Sequence, residues 1–183
     1  MASLSEESLP KNGTPPLEDL GTEQSDLSSS AQIYSVPITA AATGMPSINI
    51  LVAEHNQVMR KVIGRQIDKL SHNCVYEFAC NGQEAFEAYK KGHQTYQCIL
   101  MQPSMPVIDG LHATRLIRAF ETENSLKPCY IVVMAAGIPM AVDMERTRSL
   151  GFDASIQKPC KAEGLERLFV ELGLVTKRSA ETS

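Results

Sequence analysis

The 183-residue sequence has no apolar run approaching the roughly 20 residues of a membrane span. It also lacks the cationic start and apolar stretch of a secretory signal, and its N-terminal region is acidic instead. These absences predict a soluble intracellular chain, cytoplasmic or nuclear. Basic charge is scarce. The net charge is −4, residues 1–47 hold −5 of it, and the remainder is about +1, so no basic footprint for nucleic acid exists. Paired cysteines are missing as well. Cys74, Cys80, Cys98, Cys129 and Cys160 form no CxxC pair and are odd in number, and their neighbours are apolar. They read as buried reduced thiols, with Cys160, just after Lys158-Pro159, the one that would reach a site mouth.

What is present divides in two. Residues 1–46 carry five of the ten prolines, the run Ser28-Ser29-Ser30 and an excess of acid, with no sustained helical or strand periodicity. Such a segment cannot bury enough apolar surface to offset its ordering entropy, and it reads as a disordered acidic tail. Ile33, Tyr34, Val36 and Ile38 form an apolar patch within it, read as a sticky stretch rather than a dock. Thr14-Pro15 matches a proline-directed phosphorylation site too short to be specific. Residues 47–175 form the folded domain, and 176–183 a second disordered end.

Within the domain, short apolar runs alternate with amphipathic stretches. Strands are predicted over 48–53, 74–79, 96–101, 130–134 and 154–157, the first a nearly continuous apolar run of the kind a parallel sheet buries on both faces. Helices are predicted over 56–70, 83–91, 111–122, 141–150 and 162–172; the first places Val58, Val62, Ile63, Ile67 and Leu70 on one stripe. Five strands alternating with five helices argue a doubly wound α/β domain, a five-stranded parallel sheet of order 2-1-3-4-5 flanked by helices. Its site lies at the carboxyl ends of the strands, where Glu54, His55, Gln102, Ala135 and Lys158 become neighbours.

The run Ile99-Leu100-Met101-Gln102-Pro103-Ser104-Met105-Pro106-Val107-Ile108-Asp109-Gly110 resembles the segment around the phosphate-accepting aspartate of response-regulator receiver domains. Residues from about Ser47 to Gly173 resemble such a domain throughout. The texture of Ser104-Met105-Pro106, His112-Ala113-Thr114-Arg115 and Lys127-Pro128-Cys129-Tyr130-Ile131-Val132 is most similar to receiver modules of fungal hybrid histidine kinases. The resemblance implies two acids and an aspartate that hold Mg²⁺, a Thr or Ser after the fourth strand, a Lys after the fifth, and an aromatic three residues before that Lys. Glu54 and Lys158 match. His55 replaces the second acid, Gln102 the phosphoacceptor, Ala135 the hydroxyl and Ser155 the aromatic. A carboxamide is a poor nucleophile and a weak Mg²⁺ ligand. The expectation is a pseudo-receiver with no catalytic residue, no cofactor, and Mg²⁺ binding lost or weak.

Other uses of these residues fit the sequence less well. His55 as a phosphoacceptor lacks a base or donor in the sequence. Glu54 and His55 are too few ligands for a transition metal. Asp109 as a substitute acceptor competes with its role as N-cap of the next helix. The structural reading is that Glu54 pairs with Lys158 while Gln102 hydrogen-bonds both, locking one state. The predicted function is a phosphorylation-independent interaction module of two-component phosphorelay signalling. By resemblance the partner is a histidine kinase, a histidine phosphotransfer protein or a downstream regulator, with homodimerisation a further use of the face of the fourth helix, fifth strand and fifth helix. No kinase, phosphotransfer or DNA-binding pattern is legible. The alternatives are a receiver that accepts phosphate on another residue, and a scaffold outside two-component signalling regulated through its tail.

Overall fold

The protein is represented by a computed structural model that describes residues 47–136 and 144–176. The two terminal segments expected to be disordered, with the Ile33–Ile38 patch and Thr14, lie outside these residues. Five strands and five helices alternate: β1 Ile48–Ala53, α1 Gln57–Ile67, β2 Cys74–Ala79, α2 Gly82–Gly92, β3 Cys98–Met101, α3 Gly110–Glu123, β4 Tyr130–Ala135, α4 Met144–Ser149, β5 Ala154–Gln157 and α5 Ala162–Glu171. The strands form one parallel sheet of order β2-β1-β3-β4-β5, as the sequence predicts. No described helix is long and apolar enough to cross a membrane.

Alternation along the central strands fills two cores. Ile50, Val52, Leu100, Val132 and Met134 face Ile63 and Ile67 of α1 and Leu165, Leu168 and Phe169 of α5. Leu51, Ala53, Ile99, Met101, Ile131 and Val133 face Ala85 and Tyr89 of α2 and Ala113 and Ile117 of α3. The interior strands are apolar on both faces because helices cover both.

The helix starts have local causes. Asn56 caps α1, its side chain accepting from the Val58 and Met59 amides at 2.9 and 3.1 Å. Predicted to lie inside this helix, Asn56 instead stands just before it. Asn81 and Glu84 cap α2 reciprocally: Asn81 accepts from the Glu84 amide, and Glu84 accepts from the Cys80 amide and the Asn81 side chain. Asp109 caps α3 by accepting from the His112 amide at 2.7 Å.

A buried polar network closes the opposite end of the sheet. Arg118 of α3 donates to Glu121, Asp153, the Gly151 carbonyl and the Cys129 carbonyl. Glu121, itself buried, also accepts from the Tyr89 hydroxyl and the Cys129 amide. All five cysteines are free thiols. Cys98 and Cys129 are buried, Cys74 and Cys80 only partly so. Cys160 is buried rather than exposed at the site mouth, because its side chain joins the α1–α5 core.

Candidate functional site

Parallel pairing brings the ends of β1, β3, β4 and β5 together, and two backbone bonds fix the geometry there. The Gln102 amide donates to the Ala53 carbonyl at 2.9 Å, and the Lys158 amide to the Ala135 carbonyl at 2.7 Å. Glu54, His55, Gln102, Ala135 and Lys158 thereby share one rim. Ser155 lies on β5 opposite Val133, one step back from the rim, and is half-buried.

Glu54 is the one acid of the expected set, and its side chain is 1% exposed. Its Oε2 accepts from the Lys158 ammonium. Its Oε1 accepts from the Asn56 amide at 2.9 Å. The burial of this carboxylate is thus balanced by a cation and a backbone donor.

Gln102 behaves differently from the expectation. Its carboxamide oxygen goes to His55, accepting from the His55 amide at 3.2 Å and facing the His55 Nδ1 at 2.8 Å, rather than bridging Glu54 and Lys158. The reason is reach. Lys158 lies directly on Glu54, and the loop entering α1 presents His55 to Gln102 instead. These bonds also fix the ring's tautomer. A backbone N–H only donates, so the amide oxygen must point toward His55. Nδ1, facing that oxygen at 2.8 Å and Glu54 Oε1 at 3.5 Å, must then carry the hydrogen. Nε2 is left as the nitrogen that can meet an incoming group, on a side chain 46% exposed.

Arg60 is a site residue that the sequence pattern did not single out. From the second turn of α1 its Nη1 donates to the carbonyls of Glu54 and His55 at 2.8 and 2.9 Å, which binds the loop to the helix. A carbonyl-clamping role of this kind has no side-chain pattern to betray it.

The donor set does not fit Mg²⁺. A hard cation needs several oxygens, and the site offers one carboxylate already bound by an ammonium, beside a carboxamide and an imidazole. Among the described residues, no three His, Cys, Asp or Glu side chains stand together as a metal site. At Ala135 there is no hydroxyl to bind a phosphoryl group.

Two apolar side chains flank the rim in the open. Val58, in the first turn of α1, is 68% exposed, and Val107, in the loop between β3 and α3, is 78% exposed. Val107 also has φ +69°, a left-handed conformation unfavourable for a β-branched residue. Gly110 closes the same loop with its amide on the Pro103 carbonyl at 2.8 Å, and a Cβ there would collide with the Gln102 carbonyl.

Comparison with known proteins agrees with this architecture. The chain is 35% identical over 119 residues to hybrid signal transduction histidine kinase F of Dictyostelium discoideum, covering 65% of this chain and 10% of that protein. It is 34% identical over 88 residues to the osmolarity two-component system protein SSK1 of Saccharomyces cerevisiae, covering 48% of this chain and 12% of that one. The chain therefore spans only a small part of these relatives. Among solved structures, it superposes with a TM-score of 0.62 and 27% identity on a chain of the co-crystal of the Saccharomyces cerevisiae histidine phosphotransfer signaling protein Ypd1 with the receiver domain of its downstream response regulator Ssk1, covering 76% of this chain and 97% of that one. The Arabidopsis thaliana CKI1 receiver domain with Mg²⁺ and BeF₃⁻ shares the fold, with a TM-score of 0.59 at 24% identity over 70% of this chain and 91% of that one. Residues 50–169 match the response regulator receiver domain as a family, and the chain belongs to it.

Proposed function

We propose that this receiver acts as a pseudo-receiver in two-component phosphorelay signalling, inside the cell, binding its partner without accepting phosphate at position 102. The observation that carries the reading is the closed site. The Lys158 ammonium takes the Glu54 carboxylate, and the Gln102 carboxamide takes His55, so the groups that would hold metal and phosphoryl hold one another. With an amide at position 102 and no metal cluster among the described residues, the site works by binding rather than by catalysis.

The partner best supported is a histidine phosphotransfer protein, as in the yeast complex whose receiver shares this fold. Exposed Val58 and Val107 at the rim suit a docking face, and Val107 keeps its apolar side chain in the open at a strained backbone position. A histidine kinase or downstream regulator presenting a similar helical surface is the next candidate. Self-association through α4, β5 and α5 is a further use of the domain, read out by its mass in solution.

The test is binding of the full chain to the yeast phosphotransfer protein, with and without Mg²⁺ and acetyl phosphate. The expected result is an affinity unchanged by either additive and no phosphoryl adduct on the chain. A stable adduct at any residue overturns the reading.

A further inference from the structure

Receiver sites of the resembled kind present a cluster of carboxylates at their mouth. This one does not. Its single remaining acid, Glu54, is buried and neutralised by Lys158. Of the other carboxylates at this end, Glu84 is wrapped by the Cys80 amide and the Asn81 side chain in the α2 cap, and exposed Asp109 accepts from the His112 amide in the α3 cap. What faces outward is the His55 imidazole, fixed by its Nδ1 hydrogen bond, and beside it Arg60. The Nη1 of Arg60 is held by the Glu54 and His55 carbonyls, while Nε and Nη2 take no part in those bonds. Val58 and Val107 flank this patch.

An acidic mouth repels an incoming phosphoryl group unless a metal ion intervenes. A guanidinium at the mouth attracts one. We propose that the patch formed by His55, Arg60, Val58 and Val107 recognises a helical phosphotransfer partner preferentially when that partner carries phosphohistidine, and holds it without taking the phosphoryl group. The valines supply contact common to both forms of the partner. Arg60 supplies the part that depends on phosphate, its guanidinium being a charged donor. Gln102 stands where the phosphoryl group would otherwise be attacked, and its amide cannot accept it. The chain is then a reader of its partner's phosphorylation state. This inference rests on the docking reading above.

The experiment titrates the full chain into the yeast phosphotransfer protein, once unmodified and once radiolabelled on its histidine with phosphoramidate as donor. The phosphorylated form is expected to bind at least about tenfold more tightly, with the label remaining on the partner. Arg60→Gln should shrink that preference. Arg60→Lys, which keeps the charge, should retain part of the preference, separating recognition from a merely structural role. Val58→Asp should weaken both forms alike. Equal affinity for the two forms overturns the inference and leaves the docking reading standing. Failure of either form to bind overturns both. Movement of the label onto the chain overturns the claim of holding without transfer.

Discussion

The Lys158 ammonium donates to Oε2 of Glu54, across 104 positions of sequence, and the two side chains are 13% and 1% exposed. Removing one partner of such a pair strands a buried charge, which costs about 3–5 kcal/mol. Lys158→Met is therefore expected to lower unfolding free energy by about that amount in urea titrations. Combining it with Glu54→Gln should recover much of the loss, because a neutral amide tolerates burial better than an unpaired carboxylate. Equal losses in the single and double variants would contradict the pairing.

Magnesium supplies a second prediction. Calorimetric titration of the wild-type chain with MgCl₂ should show no saturable binding in the millimolar range. Gln102→Asp alone should change little, since His55 still replaces the second acid and Lys158 still holds Glu54. His55→Asp with Gln102→Asp places two further carboxylates beside Glu54 and should produce measurable binding, together with a fall in stability without the metal from clustered like charge. Saturable binding by the unaltered chain would refute the account of the site.

Val107 offers a test that separates folding from function. At φ +69° a valine is strained, whereas asparagine tolerates this conformation well. Val107→Asn should stabilise the fold by about 1 kcal/mol in thermal or chemical denaturation. The same substitution should weaken partner binding, because the exposed methyl groups are lost. A variant both more stable and unimpaired in binding would remove Val107 from the docking face.

Alkaline stability follows from the buried thiols. Burial, with a smaller push from Glu166, raises Cys74 from 9.0 to about 11. Burial raises Cys160 to about 11 despite nearby Lys158. Burial and then Glu121 raise Cys129 to about 12. A folded-state value above the unfolded one favours the native state while the thiol stays protonated. That contribution is complete below pH 9 and is lost as pH rises through 11 and 12. Urea midpoints should accordingly fall between pH 9 and pH 11 in reducing buffer, and the fall should diminish in a Cys74→Ala/Cys160→Ala variant. A flat profile over that range would show that these thiols do not sense burial.

Much of this was legible in the residues. The sheet order follows from strand runs such as Ile48–Ala53, whose all-apolar pattern is a direct imprint of burial on both faces. Asp109 announced its cap, and Glu54 announced its partnership with Lys158 once the strand ends were placed side by side. Helix ends were less exact, as at Asn56, because a capping side chain lies outside the apolar period that marks the helix. Of the helix predicted over 141–150, the structure describes Met144–Ser149. Two kinds of contact left no trace in sequence. Gln102 was expected on Glu54 and Lys158 but meets His55, since the choice among polar partners within reach depends on loop placement to within an ångström or two. Arg60 was invisible because it binds carbonyls, which every residue possesses. Cys160 deceived through its neighbours: adjacent to the rim lysine in sequence, it turns inward.

The contact between positions 54 and 158 also bears on how the molecule comes into being. Synthesis delivers Glu54 early and Lys158 only after the fourth strand and the helix beyond it have been made, so the early carboxylate has no cation until the fifth strand docks. The rim therefore cannot be complete until the fifth strand is in place.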